Sequence, residues 1–196
     1  DIHRNLGVLH TQRGEYKLAV SHLRTASRLL DRTLSDPSEE ARSEEDEFVL
    51  EAFIKVKIAI VLNYLGRVYD RLEDTSEEAL ICLEDSMVIM EDVLDELKQD
   101  VSLFFQMKNF IPKIAKGSCL QTPPSLLSLG SILGDNYLRA GQNYTRSFLL
   151  VDAELAFHRA ISIYEEMKDE SYFLHDNENT IESLQSDDLN EALLKA

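Results

Sequence analysis

Polar side chains recur at every fourth position in one stretch of the chain, at Asn63, Arg67 and Arg71. On an α-helix this spacing places all three side chains on one face. An arginine guanidinium offers a rigid fork of hydrogen-bond donors that fits a carboxylate. The spacing therefore favours a polar ridge that binds acidic groups of a partner. The alternative is a set of solvated charges, in which Arg71 pairs with Glu73 or Asp74.

The residues that catalysis or metal binding would need do not form a recognised pattern. The sequence contains no serine-hydrolase motif, no phosphate-cradling glycine loop and no pair of histidines at metal-ligand spacing. Surface or packing roles are the interpretation for the five histidines, which are His3, His10, His22, His158 and His175. We therefore expect no enzymatic activity, no metal and no cofactor.

The negative charge is concentrated in two segments. The formal net charge is −16, and residues 36–51 and 165–191 together account for all of it. An acidic chain is a poor ligand for the phosphate backbone, so nucleic acid is not the expected partner. Either acidic segment is suited to docking a basic partner, which is the alternative to binding through the arginine ridge.

Cysteine usage and hydropathy favour a cytoplasmic protein without membrane contact. Cys82 and Cys119 are the only cysteines and form no Cys-x-x-Cys motif, which indicates a reducing compartment. No run approaches the roughly 18 apolar residues of a membrane span. The segment 101–116 combines three lysines with three phenylalanines, and packing inside the protein explains it more simply than membrane binding.

One motif occurs three times along the chain. Each copy is a Leu-Gly pair followed by an aromatic residue or histidine, and then by a helix with small and large residues four and three positions apart. The glycine allows a second helix to approach closely, and the small residues of that helix set the distance. The copies are Leu6-Gly7 with Ala19, Leu23 and Ala26; Leu65-Gly66 with Ala79, Leu83 and Ser86; and Leu133-Gly134 with Ala153, Phe157 and Ala160.

These motifs resemble the tetratricopeptide repeat family, whose units are helix–turn–helix hairpins. The resemblance implies an all-α fold, a right-handed superhelical stack of hairpins at about 1–34, 48–95 and 126–168. An extra helix is expected at about 101–115, within one domain that spans 1–168. Residues 169–196 form an acidic segment with a marginal helical pattern or partial disorder.

The spacing of the motifs departs from the family. Gly7 and Ala19 are 12 residues apart, whereas Gly134 and Ala153 are 19 apart, which predicts an insertion around 144–151 in the third unit. The distance from Gly7 to Gly66 is 59 residues, against about 34 in the family. Asp36 and Pro37 are typical of a helix start, so one long helix from there to about Leu72 would explain the difference. Thr75 and Glu78 predict the start of the next helix.

The resemblance also implies where a partner binds. In this family the first helices of the hairpins line a concave groove, which would hold a partner peptide or helix. The implied groove residues are Arg4, Gln12, Asn63, Arg67, Arg71, Asp135 and Arg139. Asparagine is missing after each Leu-Gly pair, where Val8, Arg67 and Asp135 stand, so the family's clamp for chaperone tails is not expected. The predicted function is a protein-interaction scaffold for an acidic or carboxyl-terminal segment, and the exposed ends of the stack allow self-association.

Overall fold

The described part of the protein consists of helices and short turns. The computed structural model describes residues 2–35, 44–72, 75–99 and 126–168. In these ranges it has six helices: α1 (Ile2–Gln12), α2 (Tyr16–Ser35), α3 (Glu44–Tyr69), α4 (Ser76–Gln99), α5 (Leu126–Arg146) and α6 (150–168). The prediction of an all-α protein is confirmed for this part of the chain. The expected helix at 101–115, the helix start at 36–43 and the acidic segment 169–196 lie outside the described residues.

The junction between α3 and α4 falls slightly earlier than predicted. We expected α3 to continue to about Leu72, but it ends at Tyr69. A turn follows, in which the amides of Asp70, Arg71 and Leu72 donate to the carbonyls of Gly66, Val68 and Tyr69. The hydroxyl of Thr75 donates to the Tyr69 carbonyl at 2.6 Å, which closes the end of α3 just before α4 starts at Ser76. The predicted start of α4 is therefore confirmed.

The six helices form three consecutive hairpins. Consecutive helices pack against each other from α1 to α5, and α6 packs on α5 through contacts such as Tyr164 on Gly134. The first helices of neighbouring hairpins also touch, α1 with α3 and α3 with α5. The core is divided into two clusters. One joins α2, the second half of α3 and the start of α4, and the other joins α3, α4, α5 and α6.

In each hairpin a large side chain of the second helix lies directly against a glycine of the first helix. A Cβ atom added to Gly7 would lie 2.6 Å from Leu23 Cγ, and one added to Gly66 would lie 2.7 Å from Leu83 Cγ. In the third hairpin the matching contact is made by Gly141, where a Cβ atom would lie 2.7 Å from Phe157 Cε1. Gly134, which we assigned to this position, instead faces the ring of Tyr164.

The register predicted for the third hairpin is therefore wrong. Gly141 and Ala153 are 12 residues apart, the same spacing as Gly7 and Ala19. The predicted insertion around 144–151 is not needed, because α5 continues through Arg146 and the turn follows directly. A side-chain bond supports the new register. Thr145 donates to the Gly141 carbonyl at 2.8 Å, as Thr11 donates to the Gly7 carbonyl at 2.8 Å.

The turns of the first and third hairpins have the same hydrogen bonds. The backbone amides of Arg13, Gly14 and Glu15 donate to the carbonyls of Leu9, Thr11 and His10, respectively. The amides of Ser147, Phe148 and Leu149 donate in the same way to Asn143, Thr145 and Tyr144. The middle residue has a positive φ in both turns, 75° at Gly14 and 60° at Phe148. The two hairpins thus repeat one backbone design, although only one of them has glycine where that conformation is free of strain.

Candidate partner-binding surface

Three of the predicted residues lie close together, on α3, on the turn that follows it and on α5. Arg67 is in the last turn of α3, Arg71 is in the turn after it, and Arg139 is on α5. We call these three residues the arginine cluster. The Arg67 guanidinium lies 5.9 Å from the centre of the Tyr64 ring, a cation–π contact that holds it on the surface of α3. Arg71 is exposed, and Arg139 is half-buried.

The electrostatics of Arg139 indicate that the cluster is crowded with positive charge. Burial lowers the pKa of Arg139, and the nearby charge of Arg67 lowers it further, with a smaller effect from Arg71. Asp135 and Asp70 act in the opposite direction and do not cancel the shift. Among the described residues, no carboxylate forms an ion pair with any arginine of the cluster. The pairing of Arg71 with Glu73 or Asp74 lies outside the described residues.

The two carboxylates near the cluster are bound to other groups. The hydroxyl of Tyr164 donates to Asp135 at 2.7 Å, and burial together with this bond raises the pKa of Tyr164 to about 12. Asp70 accepts from the guanidinium of Arg146 and, at 3.5 Å, from the amide of Asn143. Asp135 therefore lies beside the cluster as predicted, but its hydrogen bond holds it against α6.

Asn63 is not on this surface, and its assignment to the groove is wrong. It is only 5% exposed, and its amide donates to Asn136 of α5. Asn136 in turn donates to Ser86 at 2.9 Å, and Ser86 donates to the Ala59 carbonyl at 2.7 Å. This buried chain of hydrogen bonds links α3, α4 and α5. Because Asn136 is 73 residues away in sequence, the spacing within α3 gave no sign of it.

Of the two predicted residues of α1, Arg4 lies apart from the cluster. Gln12 is exposed at the end of the helix. Arg4 donates to the Asn5 side chain at 3.2 Å and lies near Lys57 of α3. Burial, with a smaller contribution from the Arg4 charge, lowers the pKa of Lys57 to about 8. Lys57 is ten positions before Arg67, about 15 Å along the helix, so Arg4 contributes to a separate basic region.

The first hairpin contains a group of histidines that the sequence did not reveal. The Nδ1 atoms of His3 and His22 are 3.0 Å apart, and the rings of His10 and His22 stack with centroids 5.3 Å apart. His10 Nδ1 is 2.5 Å from a carboxylate oxygen of Glu15. The seven-residue spacing of His3 and His10 placed these two on one face of α1, but His22 comes from α2. No set of three or more His, Cys, Asp or Glu side chains in the described ranges has the geometry of a metal site.

No protein-family model matches the chain, and no curated protein is significantly similar to it. In the part of the chain that the structure describes, no helix has the length and apolar character needed to cross a membrane. The arginine cluster and the packing of the hairpins are therefore the features of the protein that bear on its function.

Proposed function

We propose that this protein is a cytoplasmic interaction scaffold of the tetratricopeptide type, which binds an acidic segment of another protein. In this proposal the three hairpins are units of a right-handed superhelical stack, and α1, α3 and α5 line its concave groove. The acidic segment lies across α3 and α5, where the arginine cluster takes its carboxylates. Binding is the whole activity, and no chemical step follows it.

The repeat-like geometry supports the first part of this proposal. The three glycine contacts have the same form, in which a large side chain of the second helix covers a glycine of the first. Two of the three turns share their hydrogen bonds. Contacts between α1 and α3 and between α3 and α5 put the first helices side by side, as a groove-forming stack requires.

The observation that carries the second part is that no described carboxylate forms an ion pair with the cluster. A protein with net charge −16 has carboxylates to spare, yet those described near Arg67, Arg71 and Arg139 form no ion pair with them. Keeping three guanidinium groups together is electrostatically unfavourable without an anion. A carboxylate from a partner would relieve this repulsion, and each charge-assisted hydrogen bond contributes about 1.5–3 kcal/mol when partly desolvated.

The test is to reverse the charge of two arginines of the cluster. The variant Arg67→Glu/Arg71→Glu should bind a fluorescent, glutamate-rich peptide with a free carboxyl terminus at least about tenfold more weakly, a loss of about 1.4 kcal/mol. The control is Arg28→Glu/Arg32→Glu on α2, which has the same spacing and charge change on an exposed face of a second helix. Fluorescence anisotropy measures the affinity, and circular dichroism checks that both variants keep their helices.

The alternative function has a different signature. If the acidic segments 36–51 and 165–191 dock a basic partner, neutralising the acids of 39–47 should weaken binding of a lysine-rich peptide. In that case the wild type should not bind the acidic peptide above background. Equal losses in the cluster variant and the α2 control would also contradict the proposal, because the effect would then come from net charge alone.

A further inference from the structure

A stripe of four half-buried residues runs along α3 and ends in the arginine cluster. The four are Lys57, Ile60, Tyr64 and Arg67, and their spacing of three, four and three positions keeps them within about 80° around the helix axis. Their neighbours Ile58, Ala59 and Leu65 are buried. We call these four residues the α3 stripe, a narrow strip of the helix that solvent still reaches.

Both ends of the α3 stripe are positively charged, and the arginine cluster forms one of them. At the other end, Arg4 of α1 lies close enough to Lys57 for its charge to add to burial in lowering the pKa of Lys57 to about 8. The Lys57 ammonium lies 4.6 Å from the centre of the Phe53 ring, a cation–π contact that holds it at this end. We call Arg4 and Lys57 the second basic point. Ile60 and Tyr64 separate it from the cluster.

We propose that the second basic point binds a second carboxylate of the partner, and that the ligand is an extended segment with two acidic residues four positions apart. This rests on the proposed function, in which the arginine cluster binds the first carboxylate. Lys57 and Arg67 are ten positions apart on one helix, about 15 Å along its axis. In an extended chain, residues four positions apart are separated by about 13 Å and point to the same side. Flexible side chains cover the small difference.

The middle of the α3 stripe selects the residue between the two acids. In an extended segment, the residue two positions after the first acid points to the same side as both acids. It would lie over Ile60 and Tyr64, where an apolar side chain loses less solvation than a polar one. The ligand that fits this surface therefore has the pattern acid–x–apolar–x–acid. Like charges four positions apart destabilise a helix, which also favours the extended form.

A set of labelled peptides that differ in acid spacing tests this ligand by fluorescence anisotropy. Each peptide has one apolar residue and two glutamates on a neutral background with blocked ends, and the glutamates are two, four, six or ten positions apart. At about pH 7 the wild type should bind the four-position peptide about fivefold more tightly than the others. In the Lys57→Met variant the preference should fall below about twofold.

The matched control for this variant is Lys55→Met. It has the same charge change two positions away, but on another face of α3, where Lys55 pairs with Glu51 at 2.9 Å. This control should keep the preference for the four-position peptide. Circular dichroism checks that both variants keep their helices.

The pH provides a second measurement that reports on Lys57. This lysine loses its proton as the pH rises from about 7 to about 9.5, whereas the arginines stay charged. The preference of the wild type for the four-position peptide should therefore disappear over this range. The Lys57→Met variant should show no such change with pH.

The outcomes separate the second basic point from the function on which it rests. If the wild type binds no acidic peptide at all, the proposed function fails and the second basic point fails with it. If every spacing binds equally and Arg67→Glu/Arg71→Glu weakens each of them, the proposed function stands and the second basic point is wrong. Tightest binding of the ten-position peptide would overturn the proposal in favour of a helical ligand. Equal losses in Lys57→Met and Lys55→Met would overturn it too, because net charge would explain both.

Discussion

Gly66 shows at the scale of one residue how the hairpins are held together. A Cβ atom at this position would lie 2.7 Å from Leu83 Cγ and 3.1 Å from the Ala79 carbonyl oxygen. Leu83 is fully buried, so neither neighbour can move away at low cost. We predict that Gly66→Ala destabilises the protein by about 1–3 kcal/mol, even though alanine is the better helix former. Denaturant unfolding followed by circular dichroism measures the change.

Gly130 is the matched control for this prediction. It also lies within a helix, but an added Cβ atom would meet Cγ and Sδ of Met167 at 3.0 Å. A methionine side chain is flexible and can shift by a few tenths of an ångström. Gly130→Ala should therefore be neutral or stabilise by up to about 1 kcal/mol through helix propensity. Similar losses for both variants would show that close packing is not what selects glycine at position 66.

Lys57 makes stability depend on pH in a definite direction. Its pKa is lowered from 10.5 to about 8 in the folded protein, first by burial and then by Arg4. Between these two values the unfolded chain holds a proton that the folded chain has lost, so the Lys57 contribution to stability rises with pH. Below the folded pKa both states are protonated, and the cost of burying the charge is present in full.

Replacing Lys57 with methionine should remove this dependence. Relative to wild type, the free energy of unfolding of the variant should fall by about 0.5–1 kcal/mol as the pH rises from about 7.5 to 9.5. The expected size is modest because solvent screens the charge at this half-buried site. The contact between the ammonium and the Phe53 ring, 4.6 Å away, exists only while Lys57 is charged, so its loss in the variant costs stability mainly at the low end of the range and makes the expected difference smaller. Comparing the two proteins at each pH cancels the other titrating groups. A constant difference across the range would contradict the prediction.

At the scale of elements, the turn between α5 and α6 is strained where its counterpart is not. Phe148 has φ of 60° and is 86% exposed, so it gains nothing from packing in that conformation. A left-handed residue other than glycine costs about 1–2 kcal/mol. Phe148→Gly should therefore stabilise by about 0.5–1 kcal/mol, since the added flexibility of the unfolded chain offsets part of the gain.

Gly14 allows the opposite experiment in the same turn design. Its φ is 75°, and a Cβ atom there would have no neighbour within 4 Å, so strain is the only cost of a side chain. Gly14→Ala should destabilise by about 1 kcal/mol. Thermal melts of the two single variants measure both changes in stability. If the two changes shift the melting temperature in the same direction, the shared backbone conformation does not control stability.

The glycine contacts between helices could be predicted from the sequence where the first helix of the hairpin contains a single glycine. The glycine contacts of the first two hairpins were placed correctly, because Gly7 and Gly66 are the only glycines in their helices. In the third hairpin, Gly134 and Gly141 are seven residues apart and therefore share a face of α5. Both of them meet α6, Gly134 at Tyr164 and Gly141 at Phe157, and the sequence alone cannot tell which one corresponds to Gly7 and Gly66. The structure decides this in favour of Gly141, whose distance to Ala153 matches that from Gly7 to Ala19.

The prediction of the candidate site from the sequence met the same limit. Arg67, Arg71 and Arg139 were selected from spacing and resemblance, and the structure brings them together. Asn63 had the same spacing but is buried, because its partner Asn136 arrives from another hairpin. A four-residue period identifies a face of a helix, but not which neighbouring helix covers it. The histidine group of α1 and α2 was missed for this reason too.

At the scale of the whole molecule, the core is divided rather than continuous. The first hairpin is joined to the rest through Ala19, Leu23 and Ala26 of α2 against the second half of α3. The α5–α6 hairpin packs in a different cluster with α4 and the first half of α3. In such an array each unit depends mainly on its neighbours, so damage at one end need not spread to the other.

Leu23→Ala tests whether stability is local in this sense. Leu23 is fully buried against Gly7, and its truncation should cost about 2–5 kcal/mol. Hydrogen exchange should then rise steeply for the amides of α1 and α2, since local opening of the first hairpin becomes easier. The amides of α5 should keep nearly all their protection, because the second core cluster contains no residue of α1 or α2. An equal rise in α5 would mean that the hairpins unfold as one cooperative unit, and that the arginine cluster depends on the first hairpin for its position.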